Sequence, residues 1–554
     1  MKFKLLALTL LLTAYACNTP KTQVEEKPAE AAQAAEANFM WENANMYFLL
    51  TDRFKNGDPS NDNSFGRQPD GAPLRSFMGG DIRGVIQKLD EGYFQELGVN
   101  AIWMTPVFQQ VKSSVDEGYG SQYAFHGYWI SDWTTLDPNF GTIEDLKELI
   151  KKAHNQGIRI VFDVVINHTG PVTEMDPKYE ESWVRTSPQC TYSSYASTVT
   201  CTLVENLPDV RTESDEAVEL PRYLVDKWKA EGRYEQEVAE LDAFFEATGH
   251  PRAPRFYIMK WITDYIKELG IDGLRVDTVK HVEETVWKEL YQLALQALKD
   301  WKTANPAEKL DDLDLYYLGE VYNYSIYNKE FTMDGGVEKI DYYAQGFNSL
   351  INFAFKGEVV KKPEEVFSTY SNILNSPEWE GLTTLHYIAS HDDGAILDRS
   401  REQIKDFATM LMLVPGGAQI YYGDELGRKL EYEGASGDAT LRTPMPWEEL
   451  ETNETMQATL AHWQKLGKFR RDHPSIGAGV HEMIQAAPYT FKRTLSDEVT
   501  DQVVVVMDPT SEVNVANTFP EGQEVKDHYS GAIGIVKDGK VTFNQDSPIR
   551  LVAL

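Results

Sequence analysis

Arg275 and Asp277 stand two residues apart in the stretch GLRVDTVKH (273–281), at the end of an apolar run. Residues two apart on a strand share a face, so a fixed cation and a carboxylate would lie side by side at the edge of a core. A structural ion pair would explain that pair alone. Other apolar runs end in the same way: Glu320 closes LYYLGE, His391 and Asp392 close TLHYIASHD, and Asp163, Asn167 and His168 close IRIVFDVVINH. Several carboxylates with two histidines and an arginine at strand ends are hard to explain by stability, because buried charges stabilise less than well-packed apolar side chains. Together they could cleave a glycosidic bond, which needs one ionised and one protonated carboxyl. Arg275 would lower the pKa of Asp277, keeping it ionised and aimed. Glu320 follows a glycine and an apolar strand, a setting that raises a carboxyl pKa and holds its proton. Asp392 would stabilise positive charge at the sugar ring.

Those residues need a scaffold that brings distant strand ends together. YFQELG leads into VNAIWMTPVF, IEDLKELIKKAHNQG into IRIVFDVVINH, and YIMKWITDYIKELG into IDGLRVDTV. Each unit is an amphipathic helix, with apolar residues at three- and four-residue steps. Each closes at a glycine (Gly98, Gly157, Gly270) suited to a left-handed C-cap, then enters a nearly all-apolar strand of the kind covered on both faces. MYFLLTDRF (46–54), LYYLGEV (315–321), SLINFAF (349–355), TLHYIASHD (384–392) and AQIYYG (418–423) bring the strand candidates to eight. Eight such strands with intervening helices predict a (β/α)8 TIM barrel, whose C-terminal rim carries the active site. A doubly wound sheet is the alternative, but no glycine-rich dinucleotide fingerprint follows the first strand.

The alternation defines the expected organisation. Residues 39–168 and 253–472 form the barrel. Residues 169–252, rich in Ser, Thr, Pro and charge, form a subdomain inserted after strand 3 and helical towards its end. Residues 473–554, with the short runs YTFKR, QVVVVMD, VTFNQ and IRLVAL, form a C-terminal antiparallel β-domain. Residues 1–17 read as an export signal, with Lys2 and Lys4 before LLALTLLLTAYA. Ala14, Ala16 and Cys17 resemble a bacterial lipobox, which implies lipidation at Cys17; cleavage to a soluble periplasmic protein is the alternative. Residues 18–38 are polar, Ala- and Glu-rich, and read as a flexible tether. The remaining cysteines, Cys190 and Cys201, are expected to form a disulfide in an exported chain. The net charge of −33 argues against nucleic acid or an anionic membrane surface as partner.

DVVINH, GLRVDTVKH, GEV and ASHDD occur in the order found in the α-amylase family, glycoside hydrolase family 13, which this sequence resembles from residue 46 onward. GVNAIWMTPVF, HGYW, LPDV and GGAQIYYGDELG are similar to that family's secondary motifs. The resemblance implies Asp277 as nucleophile, Glu320 as acid/base and Asp392 as stabiliser. It places Arg275, His168, His391 and the stacking ring of Tyr128 around the sugar, with Lys280 and His281 on the leaving-group side. RTESD, KHVE, WKTANPAEKLDD and GFNSLINF look like the periplasmic bacterial branch of the family.

By the same resemblance, Asn167, Asp209 and the carbonyl of His281 belong to a calcium site joining the insertion to the barrel. Oxygen ligands drawn from separate segments suit Ca2+. DRFKNGDPSND followed by GGD resembles a second calcium loop, which would use Asn56, Asp58, Asn61, Asp62, the Gly79 carbonyl and Asp81. The implied activity is retaining endo-hydrolysis of α-1,4-glucan in starch or maltodextrin. A 4-α-glucanotransferase or a cyclomaltodextrinase-like enzyme is the alternative on the same fold. A non-catalytic glucan-binding lipoprotein is the alternative of another class, and should have lost a carboxylate that this chain keeps.

Overall fold

The computed structural model describes residues 39–496 and 499–554; the expected export signal, Cys17 and the expected tether lie outside the described residues. Eight parallel strands close into a barrel: β1 Asn45–Leu49, β2 Ala101–Met104, β3 Arg159–Val164, β4 Gly273–Val276, β5 Tyr316–Gly319, β6 Ser349–Asn352, β7 Thr383–His386 and β8 Gly417–Tyr421. They are the eight apolar runs expected from sequence. Each pairs with its neighbours in chain order, and β1 closes the ring on β8. All eight are buried along their length, as strands lined by side chains inside and covered by helices outside must be.

Helices α1 Ile82–Asp90, α2 Ile143–His154, α3 Pro254–Leu269, α4 Glu284–Ala304, α5 Pro363–Leu374, α6 Ile404–Leu413 and α7 Glu454–Asp472 surround the barrel. The crossover from β5 to β6 departs from the expected alternation. Its described residues hold two short strands and a single 3-10 turn, Tyr343–Gln345, in place of an α-helix. The three capping glycines are left-handed as their positions required, with φ of 74°, 70° and 74° at Gly98, Gly157 and Gly270. At Gly270 a Cβ would also stand 2.3 Å from the Trp301 ring, so close packing of α4 requires glycine there.

The segment between β3 and α3 carries a two-stranded ladder, helices Arg222–Glu231 and Tyr234–Thr248, and the Cys190–Cys201 disulfide. Beyond α7 follow β9 Val480–Ala486, β10 Tyr489–Ser496, β11 Thr500–Val506, β12 Glu524–Asp527, β13 Ile533–Ile535 and β14 Arg550–Ala553. They form an antiparallel sheet in the order β9-β10-β11-β14-β12-β13. Alternation along β11 splits its valines. Val503 and Val505 join the barrel core, while Val504 and Val506 join a core on the other face. The run VTFNQ lies outside this sheet, since Lys540–Thr542 pairs with Glu512–Asn514. Among the described residues, no helix is long and apolar enough to cross a membrane.

Candidate functional site

Strand register builds the site's centre. Arg275 on β4 lies directly opposite Asp163 on β3. Its Nη1 donates to Asp163 Oδ1 at 2.9 Å and to Asp277 Oδ1 at 2.8 Å, and its Nη2 lies 3.1 Å from Glu320 Oε2. One buried guanidinium therefore contacts three carboxyls, a use of the five-donor fork that a lysine could not reproduce. Asp163 is the buried anchor. Its Oδ2 also accepts from Trp103 Nε1 at 2.9 Å and Tyr128 OH at 2.8 Å.

Barrel backbone holds the two central carboxyls. Asp277 follows β4 directly and donates its N–H to the Val164 carbonyl at 3.0 Å. Glu320 follows β5 and donates its N–H to the Val276 carbonyl at 3.0 Å. Thr278 then turns left-handed at φ 49°, a conformation that strains a β-branched residue. That turn aims the Thr278 N–H at Glu320 Oε2, 3.0 Å away. Oε2 thus takes both fixed donors, and a proton on Glu320 belongs on Oε1.

The pKa values of the two carboxyls separate. Burial pushes Asp277 up to about 6, against the lowering effect of Arg275 and with the help of Asp163 and Asp392. Burial also pushes Glu320 up to about 7, opposed by Arg275 and reinforced by Asp277 and Asp392. Arg275 lowers the Asp277 pKa, as expected, but the net shift is upward. The guanidinium is shared, and desolvation with two neighbouring carboxylates outweighs its contribution. Asp277 is still the more acidic of the two.

Asp392 closes the constellation from the β7 side. Its Oδ2 lies 2.9 Å from His391 Nε2, and its Oδ1 accepts from Arg442 Nη2 at 2.6 Å. Desolvation by the cleft walls opposes ionisation, but those two groups, with Arg275, hold Asp392 well below the usual carboxylate range. The His391 and Tyr128 rings are nearly parallel, 10° apart with centroids 5.2 Å apart. His168 sits behind Tyr128, with Nε2 at 3.2 Å from its carbonyl, and burial lowers its pKa to about 4. Lys280 and His281 are held by neighbouring loops: Lys280 Nζ pairs with Asp334 at 3.1 Å and His281 Nδ1 lies 3.0 Å from the Thr198 carbonyl. Burial lowers the His281 pKa to about 4, so its ring is neutral near pH 7.

Sequence reading had noted Asp163 as a strand end without assigning it a part in the site, and had missed Arg442 and Asp334. A buried aspartate in register with a buried arginine is legible once β3 and β4 are aligned as neighbours. No spacing rule connects Arg442 to Asp392 across the intervening helix and strand.

The proposed metal residues divide into two groups. Asp209 is buried, and neither carboxylate oxygen has a hydrogen-bond donor; Arg185 Nε stands 2.8 Å from Oδ2 but out of alignment. Burial pushes Asp209 up to about 9, opposed by Arg185 and reinforced by Glu213 and Glu283. Asn167 is tied to the same ladder, its carbonyl accepting from the Val210 N–H at 2.8 Å. Buried carboxylate oxygens without donors fit a hard cation.

In the second group, Asn56 Nδ2 donates to Asp62 Oδ1 at 2.9 Å, and Asn61 Oδ1 is buried without a partner. A Cβ on Gly79 would stand 2.3 Å from Asn56 Nδ2 and 2.7 Å from Asp62 Oδ1, so glycine is needed for this cradle to close. Asp81 also caps α1 through Gly84 N at 2.7 Å and pins Gly57 and Asp58. Asp58 Oδ1 accepts from Ser60 N and Oγ. Among the described residues, no three His, Cys, Asp or Glu side chains gather as a metal cluster. Any cation here would rely on amide and carbonyl oxygens as well.

A family model described as "Alpha amylase, catalytic domain" matches residues 48–476. The chain is 34% identical over 529 residues to the periplasmic alpha-amylase of Escherichia coli K12, spanning 85% of this chain and 72% of that protein. It is 26% identical to the cyclomaltodextrinase of Thermoanaerobacter pseudethanolicus, over 85% of this chain and 71% of that one. In three dimensions it resembles the alpha-amylase of Geobacillus thermoleovorans solved with acarbose. The TM-score is 0.63 at 22% identity, covering 93% of this chain and 100% of that chain, a likeness of fold.

Proposed function

We infer the activity from one premise: the chain belongs to the α-amylase family of glycoside hydrolases. It is a hydrolase of α-amylase type, cleaving α-1,4-glucan by way of a covalent glycosyl-enzyme. The observation that carries the assignment of roles is the single guanidinium of Arg275 shared between Asp277 and Glu320, with the two carboxyls at different pKa values.

Asp277 is the nucleophile. Arg275 occupies its Oδ1, which leaves Oδ2 to attack the anomeric carbon. Glu320, protonated on Oε1, gives that proton to the departing glycosidic oxygen. The glycosyl–Asp277 ester forms as the leaving sugar takes up the proton. Glu320, now ionised, then removes a proton from water, whose oxygen attacks the same carbon and releases Asp277. Two inversions retain the α configuration. Asp392, held ionised by His391 and Arg442, faces the positive charge that builds on the ring in both transition states. Tyr128 supplies the stacking face. Timed product profiles on amylose and maltoheptaose, with and without added glucose, test this reading. Early mid-sized oligosaccharides unchanged by glucose support endo-hydrolysis; glucose-capped products would instead support transfer.

Calcium would be held by Asn167, Asp209 and the His281 carbonyl, and by Asn56, Asp58, Asn61, Asp62, the Gly79 carbonyl and Asp81 in the β1 loop. Its contribution is structural: it would tie the insertion and the β1 loop to the barrel. The chain is further proposed to be exported and anchored to the bacterial envelope by lipid on Cys17. Cys17→Ala should release active enzyme into the soluble fraction; wild type that is already soluble, with a mature N-terminus elsewhere, defeats the anchor.

A further inference from the structure

The loop closed by Cys190 and Cys201 packs against the turn that carries Lys280 and His281. Its base is a paired one: Cys190 N donates to the Thr202 carbonyl and Thr202 N to the Pro188 carbonyl, each at 2.9 Å. Inside it, Thr198 makes two contacts outward. Its carbonyl lies 3.0 Å from His281 Nδ1, and its hydroxyl lies 3.4 Å from Asp334 Oδ2. Asp334 comes from the β5–β6 crossover, the one without a full helix, and its Oδ2 also takes Lys280 Nζ at 3.1 Å. The two loops meet without slack. Gly335 has φ 88°, and a Cβ there would stand 2.6 Å from the Ser193 carbonyl.

Lys280 is enclosed by what these loops bring. Its Nζ lies 5.8 Å from the Tyr192 ring, 5.7 Å from Tyr322 and 5.9 Å from Phe331. Tyr322 lines the same cavity as Glu320 and is 43% exposed; Tyr192, from the disulfide loop, is 44% exposed. An ammonium among aromatic faces with one carboxylate partner is fixed in place, and the Asp334 contact uses one of its three donors. Among the described residues, Asp334 pairs with Lys280 and makes no hydrogen bond to Asp277, Glu320 or Asp392. Its influence therefore runs through Lys280.

We propose that Asp334 and the disulfide-closed loop are positioning elements for the leaving-group side of the cleft. They hold Lys280 and His281 in register with the departing glucan, and so set affinity and cleavage position without entering the bond-breaking step. The proposal rests on the roles given to Asp277 and Glu320 above.

Two substrates separate the effects. Maltoheptaose fills subsites on both sides of the cleaved bond, whereas α-maltosyl fluoride leaves the leaving-group subsites empty. Asp334→Asn should lower kcat/KM on maltoheptaose about tenfold, mostly through KM, as expected for loss of one charge-assisted contact. It should shift the cleavage position and leave fluoride turnover within about twofold, since the glycosylation machinery is not addressed. Thr198→Val and the Cys190→Ser/Cys201→Ser pair should move the same ratio in the same direction, with thermal unfolding confirming a folded protein. A parallel fall on both substrates in the folded Asp334→Asn enzyme, or no change on either, overturns the proposal. Wild type that processes neither substrate would instead overturn the reading of Asp277 and Glu320, and this proposal with it.

Discussion

The two central carboxyls predict a pH profile that one substitution should dissect. The productive form has Asp277 ionised and Glu320 protonated. With values of about 6 and about 7, falling pH protonates the nucleophile and rising pH deprotonates the acid. At the midpoint, about 60% of the enzyme is in the productive form, and about 9% is at pH 5 or pH 8. The kcat/KM on maltoheptaose should therefore peak near pH 6.5 and fall about sevenfold at either side. The limbs belong to the coupled pair, so the substitution is what assigns them. In Glu320→Gln acting on α-maltosyl fluoride, which needs little protonation of its leaving group, the alkaline limb should vanish and the acid limb remain. Initial rates of fluoride release across pH 4 to 9 measure this, with enzyme stability checked at each end. An alkaline limb that survives the substitution, or an acid limb lost with it, refutes the assignment.

Other outcomes follow from the same structure. Arg442→Gln removes the cation at Asp392 Oδ1, so kcat/KM should fall at least about tenfold, which steady-state rates check. Gly270→Ala places a Cβ 2.3 Å from the Trp301 ring at a φ of 74°, which should cost about 1–3 kcal/mol and lower Tm measurably in calorimetry. Exhaustive chelation should lower Tm, and calcium but not zinc should restore it; an unchanged melting curve rules out an accessible stabilising calcium.

The scaffold was legible because burial on both faces makes barrel strands read as apolar runs, and because Gly98, Gly157 and Gly270 mark where helices end. The order of the strands then follows from chain order. The β5–β6 crossover was not legible: nothing in KEFTMDGGVEKIDYYAQ says that two short strands and a turn can replace a helix. Arg275, Asp277, Glu320 and Asp392 were legible because polar residues are out of place at the ends of apolar strands. Arg442 and Asp334 were not, since one ends the 3-10 helix Gly437–Arg442 and the other sits between two short strands, where one more charge is no signal. The direction of the Asp277 shift was misjudged for a related reason. A neighbour two residues away in sequence is visible, whereas Asp163, Asp392 and the loss of water around the group are products of the fold.

Covalent trapping on the nucleophile tests the central claim most directly. In Glu320→Gln, α-maltosyl fluoride should still glycosylate Asp277, while hydrolysis of the ester slows because the base is gone. Rapid acid quench, peptic digestion and mass spectrometry should find a maltosyl adduct on a peptide containing Asp277, and on no other carboxyl. An adduct on Asp392, or turnover of the fluoride by Asp277→Asn as fast as by Glu320→Gln, would contradict the account.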